Sequence, residues 1–378
     1  MARYISRREL RFENLESRRL LSGTGPTNEE QYMLQLINEA RTDPSAAAAQ
    51  ISSPSALTPD VTATLAYYNV NLQQTVQALS SATPQPPLAW NSDLASSAQS
   101  QSQYEANTQT QTHTGSGGST TEQRMQAAGY SNILSSGENT FAYASSAFES
   151  MQAFLIDWGV PSLGHRDNLL QPGVSASDSY RDVGIGIAQT NSSNSSFGPE
   201  VITQDFGSQT NEQAQIVGVA YNDTQGTNFY APGEGQGNVQ IDAVNTVTGQ
   251  VSSTQTWSSG GYELSLAPGK YQLIASSNNV VIKSEFVTVG SENIEEDFIM
   301  TDQWAGGSRS AAIAAAQPAP VSVPTQQTPT PAPTIGAIVF KAAQVQNSIA
   351  MGTLTPNTTP TNPVAVVSGW SSWVDDAN

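Results

Sequence analysis

"RDVGIGIAQTNSSNSSFGPEVITQDFG", residues 181–207, decides the fold class. Its two ends, 181–189 and 200–207, alternate apolar with small or polar residues, the period of a half-buried strand. An Asn/Ser/Gly-rich turn separates them, so the stretch reads as an antiparallel pair. Upstream the texture is helical. "TNEEQYMLQLINEARTDP" (27–44) puts Met33, Leu36, Ile37 and Ala40 on one helical face, with Thr27 and Glu30 as a capping box and Pro44 as the stop. Further helices are predicted near 60–81, from an N-cap at Ser92 through Leu94, Ala95, Ala98 and Tyr104, and over 120–128, 145–157 and 165–170. Helices followed by an antiparallel pair predict an α+β domain over 27–210.

Beyond it the pattern becomes all-β. "AQIVGVAY", "NVQIDAVN", "TQTWSS", "YELSLAPGKYQLIAS", "VVIKSEFVTV" and "IEEDFIM" recur at intervals of roughly 8–12 residues, which predicts a small all-β sandwich over 214–301. Within it "APGKY" (267–271) reads as a tight turn, Pro268 setting φ at the first corner and Gly269 taking positive φ at the second. Residues 302–378 read as a Pro-rich linker, "QPAPVSVPTQQTPTPAPT" (317–334), and a disordered tail with one apolar run at 335–345 and Trp370 and Trp373.

Charge narrows the function classes. Thirty-two acidic against 14 basic side chains give −18, which repels nucleic acid and anionic lipid. A nucleic-acid partner is therefore excluded. The chain has no cysteine, so neither a disulfide framework nor a thiolate site is available. No run of about 18 apolar residues occurs, so no transmembrane helix is expected. Oligomeric state is not legible. Six of the eleven arginines fall within the first 19 residues, and "RRELRFENLESRRLLSG" (7–23) lacks the apolar core of an ordinary signal peptide. It resembles the short export-associated motif of many secreted proteins of planctomycetes and related bacteria, carried here by Leu15, Glu16, Arg18, Leu20, Leu21 and Ser22. Residues 1–26 are thus expected to be an export segment, and the protein to be secreted or at the cell surface.

Only two histidines are present: His113 in "QTHTGSG" (111–117) and His165 in "FLIDWGVPSLGHRDNLL" (154–170), with Glu138 in "SSGENTFAY" (135–143) between them. Alone they define no metal site, and surface-loop histidines remain the alternative. Their order among other motifs carries more. "INEAR" (37–41), "LAWNSDLASSAQ" (88–99), His-Thr-Gly, Gly-Glu-Asn, Gly-His-Arg-x-Asn-Leu-Leu, "VGIGIA" (183–188) and "ITQDF" (202–206) together resemble the CAP superfamily, or SCP domain, in a bacterial cysteine-free form over about 30–207.

The resemblance implies an α-β-α sandwich with a large cleft and a tetrad of two histidines and two acids. His113, Glu138 and His165 match; Asp157 takes the fourth place, one methylene shorter than the usual glutamate, with Phe154 where a tryptophan would stand. Such a set could hold Zn²⁺ through His113 and His165, or brace the cleft by hydrogen bonds. Arg166, Asp167 and Asn168 are read as fixing the helix that opens at His165. No nucleophile accompanies the set, since Cys and Gly-x-Ser-x-Gly are both absent.

In the strand-rich part, Asp223 and Glu234 stand at positions 1 and 12 of a calcium-loop register, with Asn222 and Asn228 as further oxygen donors. Gln225, Thr227 and Ala231 occupy positions where a strong site has Asp or Asn, so an Asx- and Gly-rich turn is the alternative. This loop and "SSGGYELSLAPGKYQLIAS" (258–276) resemble adhesin B-type and carboxypeptidase-regulatory-like repeats, with Tyr262 and Tyr271 expected in the core. The function expected is an exported CAP protein whose cleft binds a small or lipid-like ligand or a divalent metal, with no established catalysis. A metal-assisted peptidase or other hydrolase of extracellular polymers and a structural cell-surface protein are the alternatives.

Overall fold

The structure is a computed structural model and describes residues 25–52, 56–190, 197–300 and 306–318. The export motif, most of the Pro-rich linker, the apolar run at 335–345, Trp370 and Trp373 lie outside the described residues.

The first elements are helices: α1 (Asn28–Thr42), α2 (Pro44–Ile51), α3 (Pro59–Tyr67) and α4 (Leu72–Ser80). The capping box at Thr27 and Glu30 forms, and Pro44 takes the first position of α2. The stretch expected near 60–81 is broken in two, because Asn69 turns the chain at φ 54° and Asn71 caps α4. After β1 (Ala89–Trp90) comes α5 (Ser92–Thr108), whose N-cap is Asn91 rather than Ser92: its side-chain oxygen accepts from the N–H groups of Asp93 and Leu94. Then follow α6 (Thr121–Ala128), β2 (Ile133–Ala144), α7 (Ala147–Ile156), α8 (Gly164–Leu170), β3 (Asp182–Gln189) and β4 (Glu200–Gln209).

These strands make one sheet in the order β1-β3-β4-β2, with β1 parallel to β3 and the other pairs antiparallel. The alternation in "VGIGIA" has a physical reason at each position. Val183 and Ile185, with Ile202 and Phe206 of β4, join a core completed by α1, α2 and α7. On the opposite face a Cβ at Gly184 would stand 1.9 Å from the backbone nitrogen of Ala95, and one at Gly186 2.2 Å from that of Gln99. Only glycine lets α5 lie this close, and Ser102 then donates to the Gly186 carbonyl at 2.9 Å. Helices thus cover both faces of the sheet, the α-β-α arrangement.

Arg41 closes one end of this unit. Its guanidinium is fully buried and donates to the carbonyls of Pro86 and Leu169, to the Gln171 side chain and to the Ser179 hydroxyl. Burial lowers its pKa to about 9, and the neutral acceptors let the cation remain.

A strand-rich region follows: β5 (Gln215–Tyr221), β6 (Gln240–Asn245), β7 (Val251–Gln255), β8 (Gly261–Ser265), β9 (Gly269–Ser277), β10 (Val280–Val289), β11 (Ile294–Glu295) and β12 (Phe298–Ile299). One sheet runs β10-β9-β6-β7; in the other, β5 pairs antiparallel with β8 and parallel with β11 and β12. Ile216, Ile241, Tyr262, Tyr271, Leu273 and Phe298 share the core between them. The "APGKY" turn therefore crosses between sheets, and Gly269 opens β9 without the positive φ expected of it. Asn293 ties this region to the first sheet, donating to the Pro87 and Arg181 carbonyls at 3.1 and 2.9 Å and accepting from Gln215 N–H at 3.0 Å. All described residues fall in one compact unit, Met1–Pro320.

The segment expected to be linker from 302 contains a helix, α9 (Arg309–Ala316). Its composition reads as low-complexity, yet an alanine-rich run capped by Ser308 favours helix, and Ile313 and Ala316 find apolar partners in Val244, Ile274 and Val281. Arg309 clamps the buried Asp242 carboxylate with two bonds of 2.6 Å.

The tight α5 packing makes a direct prediction. Gly186→Ala should cost about 1–3 kcal/mol in urea denaturation, because α5 must be pushed off the sheet. Gly290→Ala, where a Cβ meets nothing within 4 Å, should stay within about 0.5 kcal/mol of wild type.

Candidate functional site

The His165 half of the site is built from two helix ends. Asp157 ends α7 in the left-handed conformation, φ 60° and ψ 45°, which an aspartate tolerates better than most residues. From there one oxygen meets His165 Nδ1 at 2.7 Å and the other accepts from the N–H groups of His165 and Arg166 at 3.0 and 3.2 Å. The carboxylate thus caps the start of α8 while holding the imidazole. Arg166 in turn closes α7, donating Nε and Nη2 to the Leu155 and Ile156 carbonyls at 2.6 and 2.7 Å. The shorter acid does reach its histidine.

The His113 half is built around β2. Glu138 Oε1 lies 2.8 Å from His113 Nδ1, and its other oxygen accepts from the Arg124 guanidinium. Arg124 also donates to the carbonyls of His113 and Ser119, which fixes the loop carrying the histidine. Burial by itself would push the Glu138 carboxyl up; the His113 hydrogen bond and then the Arg124 charge bring it below the usual range. The same hydrogen bond raises His113, against the opposing effect of burial.

Two asparagines join the halves. Asn168 of α8 donates to the Glu138 carbonyl at 3.2 Å and to the Asn139 side chain at 2.9 Å, while Asn139 donates to the His165 carbonyl at 3.1 Å. Asn168, read from the sequence as fixing its own helix, instead reaches across to the sheet. Behind Glu138 stands Asp205, its direct neighbour on β4 and fully buried. Burial, with the Glu138 charge beside it, holds the Asp205 carboxyl well above its ordinary value. Glu105, pushed up to about 7 by burial, accepts from Thr140 Oγ1 and Thr112 N–H one layer away.

The four tetrad residues therefore come together as two acid–imidazole pairs. Both carboxylates are taken by imidazoles, a guanidinium and helix N–H groups. Among the described residues no group of three or more His, Asp or Glu side chains is disposed to hold a metal. Asp223 accepts from the N–H groups of Thr227 and Asn228, and Glu234 from Thr224 and Ala231, so each acid closes its own turn.

The model of the cysteine-rich secretory protein family, CAP, matches residues 34–206. Over that span the chain is similar to the CAP family. The matched span contains all four residues of the two acid–imidazole pairs and ends within β4. Among solved structures, an extracellular protein with an SCP domain from Bacillus anthracis is 22% identical, with a TM-score of 0.27, over 40% of this chain and 44% of that one. An outer surface protein from Borrelia burgdorferi is 18% identical, with a TM-score of 0.25, over 32% of this chain and 77% of that one. The present chain thus spans under half the length of the first of these. No curated protein matches significantly. No helix among the described residues is long and apolar enough to cross a membrane.

Glu138→Gln should lower stability by about 3–5 kcal/mol in urea denaturation, because Arg124 is left buried without its carboxylate. In the same variant the His113 titration followed by NMR should move down. The sign follows from the raised folded value: the His113 contribution is complete below the unfolded value near 6.5 and is lost as pH rises through the folded one. That of Glu138 is present above its unfolded value and is lost as pH falls through its depressed folded one. Asp157→Ala should cost about 2–4 kcal/mol by thermal unfolding, the sum of a lost cap and lost charged hydrogen bonds.

Proposed function

We propose that this chain is an exported CAP-domain protein that binds a small or lipid-like ligand on two carboxylate-anchored imidazoles, without a covalent step. The observation that carries this reading is that each histidine gives Nδ1 to a buried carboxylate. A neutral ring so held keeps its proton on Nδ1 and presents the Nε2 lone pair, ready to accept from a ligand hydroxyl or amide. With side chains 49% and 18% exposed, His113 and His165 remain accessible. Asn139 and Asn168 hold the two halves together.

A carboxylate on Nδ1 would equally orient a general base, and the peptide-library digest below separates binding from hydrolysis. Export is supported by the N-terminal segment and by the secretory description of the matched family.

Calorimetric titration with a monoacylglycerol, which combines an apolar tail with hydroxyl donors, tests the reading. Wild type should bind it, and the double variant His113→Ala/His165→Ala should bind at least about tenfold more weakly. A peptide-library digest with and without chelator provides the opposing arm. Metal-dependent cleavage that Glu138→Gln abolishes would replace the binding role with a hydrolase.

A further inference from the structure

A cleft with Asp157 in its wall is lined by neither imidazole. It measures about 600 Å³ and runs between α4 and the 157–163 loop, with none of His113, Glu138 or His165 in its walls. That volume is within the range that accommodates small organic ligands. We propose that this cleft binds a neutral oligosaccharide.

The aromatic walls come first. Tyr68 is 51% exposed, and its ring covers Gly159 so closely that a Cβ there would stand 3.0 Å from it. Tyr67, 82% exposed, stands edge-on to Tyr68 at 4.9 Å and extends the aromatic surface beyond the cleft. Trp158, also in the wall, is partly exposed and packs edge-to-face with Phe141 at 6.0 Å. Neighbouring exposed aromatic rings are unusual on a monomer without a partner for them. Flat rings with polar tips suit pyranose units, whose C–H faces are apolar and whose edges carry hydroxyls.

Charge selects further. The ionised side chains in the wall are Asp157 and Arg166, which neutralise each other. Asp157 accepts from His165 and the α8 N–H groups, and Arg166 gives Nε and Nη2 to the end of α7. The remaining polar groups are uncharged: the Tyr68 and Thr75 hydroxyls, the Gln74 amide, and the Asn71 amide nitrogen, whose companion oxygen caps α4. Such a rim pairs with hydroxyls and gives an ionic ligand no added attraction. An acyl chain would demand near-complete enclosure, whereas this cleft opens to solvent along its amide rim.

The test uses the full chain and four soluble probes: cellohexaose, xylohexaose, mannohexaose and chitohexaose. By calorimetry and tryptophan fluorescence, at least one should bind with a Kd below about 1 mM. Trp158→Ala and Tyr68→Ala should each weaken that binding about tenfold, and Tyr68 is exposed enough for its variant to fold if Trp158→Ala does not. His113→Ala, whose partner Glu138 is outside the cleft wall, should weaken monoacylglycerol binding yet bind the oligosaccharide as wild type does. Failure of the imidazole reading is thereby distinguished from failure of this one. Binding by none of the probes, binding untouched by Tyr68→Ala, or displacement of the sugar by palmitate would overturn the proposal.

Discussion

Asp157 is the hinge of the structure around the site. Its buried carboxylate serves three donors at once, an imidazole and two helix N–H groups, and it can do so only from the left-handed end of α7. A carboxylate in a low-dielectric interior is costly unless its lone pairs are satisfied, and here the satisfaction comes from the groups that must be oriented. The Arg166 guanidinium closes the end of α7 in return, so two helices and one histidine are fixed by two side chains nine residues apart. Arg41 extends the chain of constraint, holding the other end of α8 through the Leu169 carbonyl.

These polar clamps matter because the chain has no cysteine, although the family it matches is named for them. Rigidity comes instead from buried guanidiniums that gather carbonyls and from glycines that bring α5 onto the sheet. Arg41, Arg124 and Arg166 are all buried, and each bridges segments distant in sequence. With so few cations in the whole chain, most of those in the described residues are employed as struts.

Much of this is legible in the sequence, for reasons that can be named. The capping box at Thr27, the alternation in "VGIGIA" and the order of motifs follow from local periodicity and cap chemistry. The tetrad members come from the family resemblance, and the structure pairs them as acid with imidazole. What the sequence hides is non-local. Strand β2 goes unpredicted because it buries polar residues such as Asn139 and Thr140, whose partners lie on β4, α5 and α8, so no apolar alternation marks it. Arg124, Asp205 and Glu105 carry no spacing signature toward Glu138; only the β2–β4 register and the fold of the 113–119 loop bring them near. The carboxylates singled out in the sequence are a related case. Ligand-type residues at suitable spacing are satisfied first by backbone N–H groups and by one another.

The central claim is that both imidazoles are held through Nδ1 by carboxylates, leaving Nε2 for a ligand. A long-range ¹H–¹⁵N correlation spectrum at alkaline pH reads this directly, and with two histidines it contains two ring systems to assign. Both rings should show the Nδ1–H tautomer, and the His165 ring should revert to the Nε2–H form favoured by a free imidazole in Asp157→Ala. Two Nε2–H tautomers in the wild-type protein would contradict the account.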